Sequence, residues 1–142
     1  MQRLPFAEEV LSELRIRGYK LGLVTNTVRS REEHVRIAVR RIGLGQYFDT
    51  IIASVDMGFT KPDPRIFLAA FRKLDVRPEE AVMVGNRIDA DISGGNEAGM
   101  RTVLKWSARR RSEALRPNEV PTRTVSSLAE LPRVLAELES PS

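Results

Sequence analysis

The sequence predicts an α/β fold in three layers, a mostly parallel sheet with helices on both faces. Short apolar runs recur at 19–24, 50–55, 81–84 and 102–106. They are nearly continuous rather than alternating, the pattern of strands buried on both faces. The stretches between them carry apolar residues at helical spacing, so strand and helix alternate as parallel crossovers require. Polar and glycine residues gather just after the strands, where open parallel sheets bind ligands.

Element by element, residues 6–17 place Phe6, Val10, Leu11 and Leu14 on one helical face, and Gly18 suits the stop. A short strand occupies 19–24. Ser30 with Glu33 reads as a capping box, opening a helix that carries Val35, Ala38, Val39 and Ile42 before Gly43. The run 50–55 is a strand. Asp63 caps the next helix, with Pro64 at its first position and Phe67, Ala70, Phe71 and Leu74 as its apolar stripe. A strand at 81–84 leads through a glycine-rich turn into a short helix ending near Gly99. The strand 102–106 and a polar loop with Pro117 and Pro121 follow. A last short strand, about 123–125, and a helix over about 128–139 close a single domain spanning 1–142.

A chain of 142 residues fits one domain, and its 42% hydrophobic and 30% charged residues are those of a soluble globular protein. No run approaches the roughly 18 apolar residues of a membrane span, so no membrane partner is expected. The start, MQRLPFAEEV, lacks the apolar core and small-residue cleavage site of a secretion signal, and a cytoplasmic setting is expected. Having no cysteine, the chain has no disulfide, thiolate metal site or cysteine nucleophile. The net charge of +4 is densest over 105–116, beside Trp106. A solvated loop is the ordinary meaning of such a stretch, and no nucleic-acid-binding module accompanies it.

Three segments concentrate the chemistry: LGLVTN at 21–26, KPDPRIF at 61–67 and VMVGNRIDADISGGNEAG at 82–99. They place Thr25 and Asn26 after one strand, Asp56 after the next, and Asn86 after Gly85 at the end of a third. Lys61 lies in the loop ahead of Pro64. A hydroxyl, a lysine and a glycine turn converging on one sheet edge make an anion site, best suited to phosphate.

In this order and spacing, the segments resemble the haloacid dehalogenase superfamily, chiefly its phosphatases, over about residues 4–106. The resemblance implies a Rossmann-like core and hydrolysis of phosphate esters of small molecules. It makes Thr25 the hydroxyl that hydrogen-bonds the transferring phosphoryl group, with Asn26 beside it. Lys61 becomes the lysine that offsets negative charge, and Asp91 the second acid of a magnesium-binding loop. Asn86 stands where that loop usually begins Gly-Asp, and an amide brings no charge to attract magnesium. A larger departure lies at the front. Family members begin with a strand ending in Asp-x-Asp, the nucleophile and the acid–base, central in the sheet between the strands ending at Thr25 and Gly85. This sequence has no such strand, and Met1 falls where a cap domain normally returns to the core. The expectation is therefore a family core shortened at its N-terminus and inactive by itself. The alternative is a non-catalytic phosphate- or protein-binding domain that is completed by, or regulates, a partner chain. The resemblance implies no particular substrate, because the cap does much of the selection.

Other polar residues carry ordinary readings. Asp56 and Asp89 suit loop solvation or capping, Asp63 is a helix cap, and His34 is an exposed helix residue with no metal-ligand partner. Two structural expectations follow. Thr25, Lys61 and Asn86 share one cleft at the strands' carboxyl ends. The strands ending at Val24 and Val84 either pair directly or leave a slot filled by another segment or chain; an empty slot is not expected, since unpaired buried backbone groups each cost about 1–3 kcal/mol.

Overall fold

Helices and strands alternate through the chain in a computed structural model that describes residues 5–106 and 115–139. Helix α1, Ala7–Ile16, buries Ala7, Val10 and Leu14; of the expected face, Leu11 is half-buried and Phe6, just ahead of the helix, is exposed. Strand β1 is Gly22–Thr25, and α2 is Glu32–Arg41 with Val35 and Val39 buried. The expected Ser30–Glu33 capping box does not form. The helix begins one residue later, where Asp56 Oδ2 accepts from the Glu32 N–H at 2.7 Å and His34 Nδ1 accepts from the Arg31 N–H at 3.2 Å. A carboxylate from across the fold thus displaces the local cap.

Strand β2, Thr50–Ala53, is shorter than its apolar run because Ser54–Met57 turns into the short helix α3. Helix α4, Pro64–Leu74, starts where the Asp63 carboxylate accepts from the Arg65 N–H. Its buried stripe is Ile66, Phe67, Ala70 and Phe71, with Leu74 nearer the rim than expected. Strand β3, Val82–Gly85, leads through a π turn at Ile88–Ile92 into α5, Ser93–Glu97. Strands β4, Arg101–Lys105, and β5, Arg123–Val125, are followed by helix α6, Leu131–Glu139. Most of the basic stretch 105–116 lies outside the described residues. No helix among the described residues is long and apolar enough to cross a membrane.

All strand pairs are parallel, but they form two sheets: β1 with β2, and β3 with β4 and β5. Strands β1 and β3 do not pair. A cavity of about 290 Å³ separates them, with Val24 on one wall and Met83, Val84 and Gly85 on the other. The helices hold the halves together. On one face α1 reaches both, Val10 and Leu14 packing in the cluster of Val84 and Val103, and Ala7 in that of Ile51. On the other face, Phe67 and Phe71 of α4 join a cluster with Val24 and Ile52 of one half and Met83 of the second. Neither expected arrangement is thus seen among the described residues: β1 and β3 do not pair, and no described strand fills the slot between them.

Candidate functional site

The cavity between the half-sheets has an apolar body and a polar end. Val24, Met83, Val84 and Leu128 line the first; Lys61, Asn86, Asp91 and Lys105 line the second. The polar group sits at the strands' carboxyl ends because each residue follows a strand or comes from a loop beyond one.

Lys61 and Asp91 form its centre. Lys61 Nζ donates to Asp91 Oδ1 at 2.7 Å, with the side chains only 12% and 6% exposed. Burial at this level strengthens the pair relative to a surface ion pair and makes either partner costly to leave alone. Asp91 Oδ2 accepts from the N–H groups of Asn86 and Arg87, each at 3.2 Å. The carboxylate thus closes the turn after β3, and the π turn carrying it brings it against Gly85. A Cβ on Gly85 would collide with the Asp91 side chain, so only glycine fits there.

The loop bearing Lys61 is fixed from two sides. Asn26 Oδ1 accepts from the Lys61 N–H at 2.8 Å, while Asn26 Nδ2 donates to the Lys61 carbonyl at 3.2 Å. This paired contact makes Asn26 a clamp on the backbone of Lys61. From below, α5 packs so closely that a Cβ on Gly94 would stand 2.6 Å from Phe67 Cε2 and 3.0 Å from Pro62 Cα. Two long-range contacts therefore hold a lysine that no local pattern fixes.

Of the predicted residues, Lys61, Asn86 and Asp91 line one cavity. Thr25 ends β1, half-buried and next to the lining Val24, but its side chain does not line the cavity. Asp56 lies elsewhere: it accepts from the Glu32 N–H and pairs with Arg31 at 3.5 Å. Asp89 pairs with Arg87 on the surface, and that guanidinium holds its carboxyl below the usual range. His34 is exposed. Sequence reading missed Ser54, a buried hydroxyl that accepts from the Thr27 N–H at 2.8 Å and donates to the Thr27 carbonyl at 3.0 Å, tying the ends of β1 and β2. It also missed Lys105, whose side chain reaches the cavity from the end of β4.

The donor set does not complete a magnesium site. Among the described residues Asp91 is the one carboxylate lining the cavity, and both its oxygens are engaged by Lys61 and two backbone N–H groups. Magnesium needs near-octahedral oxygen ligation, usually with one or two carboxylates free to bind. Among the described residues no cluster of three or more His, Asp or Glu side chains could hold a metal.

The motifs and the fold converge with known proteins. The model of the haloacid dehalogenase-like hydrolases matches residues 3–99, and the chain belongs to this family. Over 129 residues it is 39% identical to the glyceraldehyde 3-phosphate phosphatase of Methanopyrus kandleri, a match covering 90% of this chain and 54% of that protein. The phosphoserine phosphatase of Thermus thermophilus is 38% identical over 115 residues, which cover 81% of this chain and 43% of that enzyme. Among solved structures, a phosphatase of the family from Thermococcus onnurineus superposes with a TM-score of 0.79 at 34% identity, over 94% of this chain and 58% of that one. The chain spans about half the length of the curated relatives it matches.

Proposed function

We propose that the chain carries the phosphoryl-holding part of a phosphatase-type site, acting on phosphate esters of small molecules. The observation behind this reading is the buried Lys61–Asp91 pair at the polar end of the cavity between β1 and β3. Lys61 would offset charge on phosphoryl oxygens and Asn26 would keep the lysine's backbone in place; Thr25, at the end of β1 beside the cavity, would hydrogen-bond a phosphoryl oxygen only once its hydroxyl turned toward the polar end. The names of the relatives, phosphatases of glyceraldehyde 3-phosphate and of phosphoserine, support this substrate class.

Hydrolysis by the family's route needs a carboxylate oxygen that bonds to phosphorus as the ester oxygen leaves, followed by water releasing phosphate from the acyl phosphate. Asp91 is held by three donors, Asp56 caps α2 and Asp89 pairs with Arg87. The described residues therefore offer no free attacking group, and by themselves they do not hydrolyse the ester. In this reading the carboxylate belongs to an apolar strand seated between β1 and β3, supplied by another segment or by a partner chain. Magnesium, the family's cofactor, would find Asp91 and Asn86 at the site, with further carboxylates coming from that strand.

A second reading, a non-catalytic phosphate- or protein-binding domain, is favoured by Asn86, an amide where a charge would help hold the metal. Turnover of a generic aryl phosphate separates the readings. The chain as it stands should show none above background, with or without magnesium. The chain joined to an apolar strand ending in Asp-x-Asp should show turnover that depends on the first Asp. An extended chain that stays inert yet binds phosphate would favour the second reading. Magnesium-dependent turnover by the chain as it stands, abolished by Lys61→Ala, would sink the missing-nucleophile argument.

A further inference from the structure

Two lysines line the cavity, and among the described residues only one has a carboxylate partner. Lys61 is neutralised by Asp91, whereas Lys105 Nζ donates to the Trp106 carbonyl at 3.3 Å and meets no carboxylate among the described residues. With Lys61 and Lys105 against the single carboxylate of Asp91, the lining carries one surplus positive charge, and that charge belongs to Lys105. The paired Lys61 still has ammonium N–H groups to donate to an anion but a field weakened by Asp91, while Lys105, with no carboxylate beside it among the described residues, adds its charge undiminished.

The two lysines also enter from opposite faces. Side chains two apart on a strand share a face. Lys105 therefore shares the face of Val103, which packs with Val84, Leu128 and helices α1 and α6. Thr102 shares the other face, against α5, where a Cβ on Gly95 would meet its Cγ2 at 2.8 Å. Asp91, just ahead of α5 on the turn from β3, receives Lys61 from the loop leading into α4. In register, Leu104 stands beside Gly85, so Lys105 stands at the level of Asn86, at the mouth of the site.

We infer that Lys105 is a specificity residue: it takes a second anionic group of the substrate, while Lys61 takes the phosphoryl group. The favoured substrates are then phosphate esters carrying another phosphate or a carboxylate. This rests on the phosphate-binding reading above and names the class that the site selects. A charge-assisted hydrogen bond in a half-buried cleft is large enough to decide between such ligands.

The test compares inorganic phosphate with pyrophosphate by calorimetric titration of the full chain, without magnesium. Pyrophosphate should bind about tenfold more tightly than phosphate, a difference of roughly 1.4 kcal/mol. In Lys105→Met the ratio of the two constants should fall to near one, and in Lys105→Arg it should be kept. The advantage should shrink as salt rises. A merely structural role for Lys105 would move both affinities together and leave the ratio standing, which would overturn the inference. A site that binds phosphate through Lys61 but shows no preference for pyrophosphate overturns the inference and leaves the phosphate reading intact. Binding of neither anion overturns both.

Discussion

Strands β1 and β3 read in the sequence much like β2 and β4, yet the fold treats the two pairs differently. Every residue of β2 is buried, as are Thr102, Val103 and Leu104 of β4. No residue of β1 or β3 is buried, although Leu-Val and Val-Met-Val are as apolar as the Ile-Ile of β2. Val84 and Val103 make the contrast sharpest, being the same residue in direct register on adjacent strands. Val103 is 0% exposed, while Val84 faces the cavity. Apolar composition states what a strand is built to cover; a neighbour on each side decides whether it is covered.

The polar end of the same cavity carries the largest expected effect. Asp91→Ala would leave the Lys61 ammonium buried with no carboxylate, and breaking such a pair costs about 3–5 kcal/mol. It also strands the Asn86 and Arg87 N–H groups. Urea unfolding checks this, with the exposed Arg87–Asp89 pair as the control: Asp89→Ala should cost no more than about 1 kcal/mol. Equal costs at the two positions would mean that the Lys61–Asp91 pair is not the buried contact described above.

Next come the two valines. Val103→Ala removes fully buried methyl groups and should cost about 2–3 kcal/mol, whereas Val84→Ala on the cavity wall should cost about 1. Equal costs would show that the slot is filled in solution. Adding an apolar strand that seats between β1 and β3 should raise the cost at Val84 toward that at Val103, which turns the comparison into an assay for completion of the sheet.

Gly94→Ala tests how the Lys61 loop is held. The new Cβ would press on Phe67 and on the backbone of Pro62, and overpacking of this kind costs about 1–3 kcal/mol. The amide resonances of Asn26 and Lys61 should shift as well, because the push is transmitted to the clamp between them. Destabilisation without those shifts would place the strain elsewhere.

These positions also mark how far the sequence could be read. Strand existence was legible from apolar runs, and Asp63 with Pro64 announced α4 because a cap is a local signal. Lys61, Asn86 and Asp91 could be picked out, Asn86 because it follows a strand end and Lys61 and Asp91 because the motifs that carry them resemble those of the family. Their partners could not. The Asn26 clamp joins residues 35 apart and the Lys61–Asp91 pair residues 30 apart, and no periodicity encodes either. The same distance effect misled the reading at α2, where Asp56 supplies from afar the cap expected of Ser30. The exposure of β1 and β3 was not legible: apolar composition led the reading to expect pairing or a filled slot, and composition does not show which neighbour a strand lacks among the described residues.

The smallest effect lies away from the cavity, at the opposite end of the β1–β2 pair. Asp49 Oδ2 accepts from the Leu21 N–H at 2.7 Å and from Arg15 at 2.8 Å, tying the start of β1 to α1. Burial pushes this carboxyl upward, but the Leu21 N–H and the Arg15 guanidinium outweigh it and hold the group below its ordinary value. A lowered carboxyl contributes stability while ionised. The contribution is therefore present above the ordinary aspartate value near pH 4 and is lost as pH falls through the folded value. With the side chain 33% exposed, solvent screening limits it to about 1 kcal/mol or less. Urea unfolding of the wild type and Asp49→Asn between pH 3 and pH 7 should show a gap near neutrality that closes toward pH 3. Taking the difference removes the parallel acid loss at Asp63, Glu80, Asp89 and Glu130, whose carboxyls are also held low. A gap that stays constant with pH would mean that Asp49 acts through the shape of its hydrogen bonds alone, and that its charge adds nothing to the half-sheet it anchors.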